Sequence, residues 1–272
     1  MTLGDLLKKA SKYLAERNVE DPSLEAGLLL SWLIKKDISY IYANPEIILD
    51  DEKEKKYLSL VERRGRHEPF AYITGECGFL DYTFYVDPNV LIPRSDTELL
   101  AQSALFALGQ NPEFFDQEMF RLKNKSAYRV LDIGTGSGCL AVSIAKGHDS
   151  VLVDAMDISE NALNIARKNA KRYGVENRIT FIHADFLDKN TVLSGNYDLI
   201  VSNPPYIPLE EMPYLMESVR NYEPAVALAA GSDGLIFFRE IAERASSLLS
   251  NPGIVLVECG YNQGQKVSEI FS

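Results

Sequence analysis

The chain has 272 residues, a formal net charge of −11 and a pI near 4.9. Apolar residues make up 46% and charged residues 25%, enough for a proper globular core. The acidic balance argues against an extended phosphate-binding surface, and no apolar run approaches the length of a membrane span.

Three cysteines (Cys77, Cys139, Cys259) and three histidines (His67, His148, His183) show no metal-ligand spacing. The thiols are expected to be reduced and mostly buried, as in a cytosolic protein. The first residues carry an amphipathic pattern and no signal-peptide core. Arg63, Arg64, Arg66 and His67 form one local basic patch, which reads as a solvated helix end.

Leu3, Leu6, Leu7, Ala10, Tyr13 and Leu14 share a helical face. Asp21-Pro22 predicts an N-cap followed by proline at the first helical position, opening a helix that buries Leu24, Leu28, Leu29, Trp32 and Leu33. A third helix is predicted near Asp51, with Glu54 completing a capping box and Tyr57, Leu60 and Val61 inside. From Glu76 to Val90 the period shifts towards two, and Asp81 and Asp87-Pro88-Asn89 mark turns, as in a β-hairpin. Ser95-x-x-Glu98 has capping-box form before a helix from Leu99 to Leu108. Asp96 and Glu98 are candidates to face a ligand, although capping accounts for them more simply. Gly109 to Ser126 has no clear period and reads as a surface connection.

The second half alternates strand and helix. Strands are predicted at Arg129–Ile133, Val151–Met156, Ile179–His183, Tyr197–Val201 and Gly253–Glu258. Strict alternation means a doubly wound parallel sheet with ligands at the carboxyl ends of its strands. The expected organisation is a helical partner-binding domain over residues 1–75, a β-hairpin linker over 76–93 and a catalytic domain over 94–272.

The unusual residues fall at those strand ends. After the first strand come Gly134, Thr135, Gly136, Ser137 and Gly138, a turn where backbone and a helix N-terminus can approach a ligand. Cys139 stands where the dinucleotide fingerprint needs its third glycine, so the spacing disfavours a pyrophosphate ligand. Asp157, about 20 residues on, suits ribose hydroxyls. Asp185 and Phe186 suit an adenine amino group and its ring. Asn203, Pro204, Pro205 and Tyr206 close the fourth strand. The prolines have no N–H, so the loop offers carbonyl and carboxamide oxygens as acceptors. That suits a planar –NH2 group, with Tyr206 as an aromatic face against it.

Asp132–Gly138, Asp157, Asp185 and Asn203–Tyr206 resemble, in order, the motifs of class I S-adenosyl-L-methionine-dependent methyltransferases. Asn-Pro-Pro-Tyr is shared by enzymes that methylate planar nitrogens of adenine, guanine or glutamine. Glu68-Pro69-x-Ala71-Tyr72-Ile73-x-Gly75-Glu76 and Val90-Leu91-Ile92-Pro93-Arg94-x-Asp96-Thr97-Glu98 resemble the release factor glutamine methyltransferases, the HemK/PrmC family. So do Tyr222-Glu223-Pro224, Gly231-x-Asp233-Gly234-Leu235 and Glu258-x-Gly260-x-x-Gln263-Gly264.

The resemblance covers almost the whole chain. It implies a Rossmann-like catalytic domain with S-adenosyl-L-methionine as cofactor and S-adenosyl-L-homocysteine as product. It also implies that Asn203 and the Pro204 carbonyl accept the amide protons of the glutamine in the Gly-Gly-Gln motif of class 1 release factors. A cytoplasmic monomer with no direct nucleic-acid or membrane partner is expected. Methylation of a DNA or RNA base amino group is the alternative substrate reading, and a cofactor-binding interaction module the non-enzymatic one. Two departures stand out: Ser95 occupies a position where family members often have proline, and the family's sixth and seventh strands are expected to be missing after Ser272.

Overall fold

Leu3, Leu6, Leu7, Ala10 and Leu14 close one face of α1 (Leu3–Ala15), and Thr2 caps it by accepting from the Asp5 N–H at 3.1 Å. The computed structural model describes residues 1–110, 121–123 and 125–272, so most of the predicted connection after Gly109 lies outside the described residues.

Helix α2 (Pro22–Ile34) departs from its expected form. Asp21 adopts a left-handed backbone, φ 45°, and its side chain makes no capping bond. Ala26, Gly27, Leu29 and Leu30 are buried, whereas Leu24 and Leu28 are exposed. Apolar residues surround this helix, so periodicity cannot select its buried face. Packing selects it: a Cβ on Gly27 would stand 2.8 Å from Ile38, the first residue of α3 (Ile38–Ala43).

Helix α4 (Asp51–Gly65) is capped by Asp50, which accepts from the Lys53 N–H at 2.8 Å, and not by the predicted box. Glu54 instead pairs with the amino terminus. Tyr57, Leu60 and Val61 are buried as expected, and the Tyr57 hydroxyl donates to the Ala26 carbonyl. α5 (Phe70–Thr74) follows.

The chain divides into two compact units, Met1–Gly75 with Met216–Tyr222, and Glu76–Leu215 with Glu223–Ser272. Within the first, Arg63 faces Glu68, Arg64 faces Glu25, Arg66 faces Glu62 and His67 faces Glu217. Each base of the predicted patch therefore has an acidic neighbour.

The second unit opens with the antiparallel hairpin β1 (Glu76–Phe79) and β2 (Tyr82–Tyr85), then α6 (Ser95–Ala107). The predicted capping box at Ser95 is not made. Arg94 is the N-cap, and Glu98 accepts from the Leu80 N–H of the hairpin turn at 2.8 Å. A part-buried amide donor in the hairpin turn outcompetes the local one.

Then come β3 (Tyr128–Ile133), α7 (Cys139–Gly147), β4 (Val151–Asp157), α8 (Glu160–Tyr173), β5 (Ile179–His183) and β6 (Tyr197–Ser202). α9 (Glu217–Tyr222) belongs to the first unit, and α10 (Ile236–Leu248), β7 (Leu249–Val257) and α11 (Gly264–Ile270) complete the second. The five strands β3 to β7 are all parallel, in the order β5-β4-β3-β6-β7. Val130, Leu199 and Val201 pack on one face with Leu140, Ile144, Phe79 and Phe84. Leu131, Ile133 and Ile200 pack on the other with Ile241 and Leu248. Burying each hairpin phenylalanine contributes about 2 kcal/mol. Strand order reverses between β3 and β6, which opens a crevice at their carboxyl ends.

Candidate active site

Ile133 and Ser202 are register partners at the ends of β3 and β6, and Ser202 Oγ donates to the Ile133 carbonyl at 2.7 Å. The glycine turn and the Asn-Pro-Pro loop thus leave the sheet side by side. Gly134 and Gly136 have φ of 74° and 55°, and a Cβ on either would meet nothing within 4 Å. Their open side faces a cavity of about 360 Å³. Gly138 serves packing: it caps α7, and a Cβ there would stand 3.0 Å from Ala166 of α8.

Two carboxylates fix the turn. Asp157 accepts from Gly136 N–H through Oδ2 at 2.8 Å and from Ser159 N–H through Oδ1 at 2.9 Å. Burial raises its pKa, against the pull of those amides. Asp132 is fully buried and accepts from the Thr135 hydroxyl at 2.6 Å, while its Oδ1 has no partner among the described residues. Burial raises its pKa to about 7.

The cavity brings together Gly134, Thr135, Gly136, Ser137, Asp157, Asp185, Phe186, Asn203, Pro204 and Pro205. Gly138 and Tyr206 are not among its lining. The Tyr206 ring instead packs with Leu235, Phe238 and Val267, beneath the loop. Phe186 is buried, with the Arg244 guanidinium 4.6 Å from its ring centre. Val90, Leu91, Pro93, Thr97 and Ile236 add wall residues that had no assigned role in the sequence reading.

Asn203 donates from Nδ2 to Thr97 Oγ1 at 2.9 Å, and Thr97 Oγ1 donates to Glu258 Oε2 at 2.7 Å. Asn203 Oδ1 has no partner among the described residues. Gln263 holds the loop from below, donating from Nε2 to the Tyr206 carbonyl at 3.0 Å and accepting from Gly260 N–H. Gly234 packs so closely that a Cβ would stand 2.3 Å from the Tyr206 oxygen.

Asn169 was not foreseen. It is fully buried on α8, donates to the Ser137 and Tyr85 carbonyls, and accepts from Tyr85 N–H. One side chain thereby ties the hairpin to the glycine turn. Glu223 plays a similar part for the segment before α6, pairing with Arg94 and accepting from Ile92 N–H. Its family-like setting in Tyr222-Glu223-Pro224 was the one available signal.

Among the described residues no helix is long and apolar enough to cross a membrane. Residues 5–75 match the PrmC N-terminal domain family, and residues 118–216 match the methyltransferase small domain family. The release factor glutamine methyltransferase of Geobacter sulfurreducens is 38% identical over 271 residues, covering all of this chain and 88% of that one. That of Clostridium acetobutylicum is 35% identical, covering all of this chain and 90% of that one. A bifunctional methyltransferase of Rickettsia bellii is 36% identical, but the chain spans only half of its length. A class I methyltransferase sheet carries the cavity, and release factor glutamine methyltransferases of two bacteria align with the whole of this chain: it belongs to the release factor glutamine methyltransferase family.

Proposed function

We propose that the chain transfers a methyl group from S-adenosyl-L-methionine to the side-chain amide nitrogen of the glutamine in the Gly-Gly-Gln motif of class 1 peptide chain release factors. It would act as a cytosolic monomer on a protein substrate. What carries this is the end of β6. Asn203 spends its N–H on Thr97, so Oδ1 is left as an acceptor beside the Pro204 carbonyl, in a loop whose prolines have no N–H. An acceptor-only corner matches an –NH2 group with two protons to donate.

The residues present fit the cofactor. The open glycine cradle and the apolar wall describe a site built around a neighbour. Gly134 to Ser137 would lie against the bound cofactor, Asp157 would accept from its ribose hydroxyls, and Asp185 and Phe186 would meet its adenine. When bound, S-adenosyl-L-methionine supplies a methyl group activated by its sulfonium.

An amide nitrogen is a weak nucleophile because its lone pair is delocalised into the carbonyl. Asn203 Oδ1 and the Pro204 carbonyl favour the positive charge that develops on nitrogen as it is alkylated, without reorganising as they do so. Val90, Leu91 and Phe186 give the cavity an apolar lining, whose low polarity would strengthen those two contacts.

Transfer of labelled methyl to unmodified release factor tests the proposal, with unmethylated DNA and rRNA offered separately. Label on the release factor, lost when its motif glutamine is changed, supports it. Label on nucleic acid alone would overturn the substrate and keep the chemistry.

A further inference from the structure

We propose that Thr97 and Glu258 are positioning residues that set the polarity of the Asn203 carboxamide, so that its oxygen and not its nitrogen meets the substrate. This rests on the reading of Asn203 as an acceptor. The two ends of a carboxamide are nearly the same shape, so packing alone cannot distinguish them. Something electrostatic must.

The chain of donors does so. Glu258 is anchored by its own N–H to the carbonyl of Ser202, the residue before Asn203, at 3.0 Å. An ionised carboxylate can only accept. Thr97, 2% exposed, therefore turns its single hydroxyl proton to Glu258 and presents a lone pair to Asn203. Asn203 must answer with Nδ2, which leaves Oδ1 as the free end. The three residues come from the first turn of α6, the end of β6 and the residue after β7. Thr97 lies 106 residues from Asn203 and 161 from Glu258.

Protonation reverses the order. A neutral Glu258 can donate to Thr97 Oγ1, whose own proton then turns to Asn203. The amide rotates, Nδ2 faces the substrate –NH2, and two donors oppose each other. Burial raises the Glu258 pKa, against the lowering pull of the Thr97 hydroxyl and of the Asn203 amide, with Asp96 raising it further and Arg94 lowering it; Tyr206 and Cys259 also face this carboxylate. Arg94 is itself held by Glu223.

The test compares Thr97→Val, Thr97→Ser and Glu258→Gln in the full chain. Thr97→Val keeps the side-chain shape and removes the hydroxyl. Turnover should fall about 10- to 100-fold, the scale of one misdirected electrostatic contact. KM for release factor and affinity for S-adenosyl-L-homocysteine by calorimetry should stay within about threefold of wild type. Thr97→Ser should restore turnover to within about threefold.

Wild-type kcat should fall on the acid side above the ordinary glutamate range, and Glu258→Gln, lowered throughout, should lack that limb. Independently of turnover, one Asn203 side-chain amide proton should exchange slowly in wild type and rapidly in Thr97→Val by NMR. Thr97→Val with wild-type turnover and slow exchange would overturn the relay, provided Asn203→Ala is inactive. An active Asn203→Ala would instead overturn the acceptor reading itself. If Thr97→Val fails to fold, Glu258→Gln decides alone: an unchanged acid limb sinks the proposal.

Discussion

Gln263 Nε2 donates to the carbonyl of Tyr206 across 57 residues of chain, at 3.0 Å. It is the strut beneath the Asn-Pro-Pro loop, because the prolines themselves cannot be held through amide hydrogens. Gln263 is buried, and its oxygen also takes the Gly260 N–H. Gln263→Leu should leave both partners unsatisfied and cost about 1–3 kcal/mol of stability. Denaturant unfolding checks the cost, and methyl transfer should fall by more than cofactor affinity does.

Gly234 and Gly231 give a paired prediction. Both have positive φ, 74° and 71°, but a Cβ on Gly234 collides with the Tyr206 oxygen while one on Gly231 meets nothing within 4 Å. Gly231→Ala should cost about 1 kcal/mol for the left-handed backbone alone. Gly234→Ala should cost about 2 kcal/mol or more beyond that, since backbone must move. Equal melting temperatures for the two variants would refute the close approach.

Asn169→Leu removes three hydrogen bonds between the hairpin, α8 and the glycine turn. The expected loss is about 2–4 kcal/mol, since the Ser137 carbonyl stays buried and the part-buried Tyr85 groups lose their partner. Because Ser137 lines the cavity, affinity for S-adenosyl-L-homocysteine should weaken as well. Calorimetry of the folded variant at low temperature separates the two effects.

Asp132 predicts the pH dependence of the cofactor-free protein. Its pKa is about 7 when folded, against 3.8 as the ordinary value. Between those limits the folded chain holds a proton that the unfolded chain has lost. Stability from this group is therefore full below about pH 4, falls as pH rises, and levels off above about pH 7. Asp132→Asn should flatten that slope. Thermal unfolding from pH 4 to 8, wild type minus variant, checks the sign.

Asn203→Ala should lower turnover by about 100-fold or more while cofactor affinity stays near wild type. Cofactor affinity falling as steeply as turnover would show that Asn203 serves mainly to hold the cofactor.

Local chemistry was legible from the chain itself. The alternation of strand and helix, the glycine turn after β3 and the prolines ending β6 depend on side-chain period and on φ restrictions, which neighbouring residues set. Ser159, a residue type that favours helix starts, caps α8 by accepting from Ala162 N–H at 3.2 Å. Asn203, Asp157 and Asp185, expected at strand ends, line one cavity because strand ends in such a sheet point to one crevice.

Partners brought from elsewhere in the chain were not legible. Glu98 had the spacing of a capping box and went to the hairpin amide of Leu80. Asp21 had the residue type of a cap and makes no capping bond. Tyr206 sat in the substrate motif and packs beneath the loop. Thr97, Glu223, Glu258 and Gln263 stand in family-like motifs and Asn169 in none, but no local pattern states what any of them does, because each role consists of a hydrogen bond to a segment distant in sequence. The sequence by itself determined where acceptors and turns would stand. Only tertiary structure decided which way the Asn203 carboxamide faces, because that depends on a hydroxyl and a carboxylate that packing alone brings together.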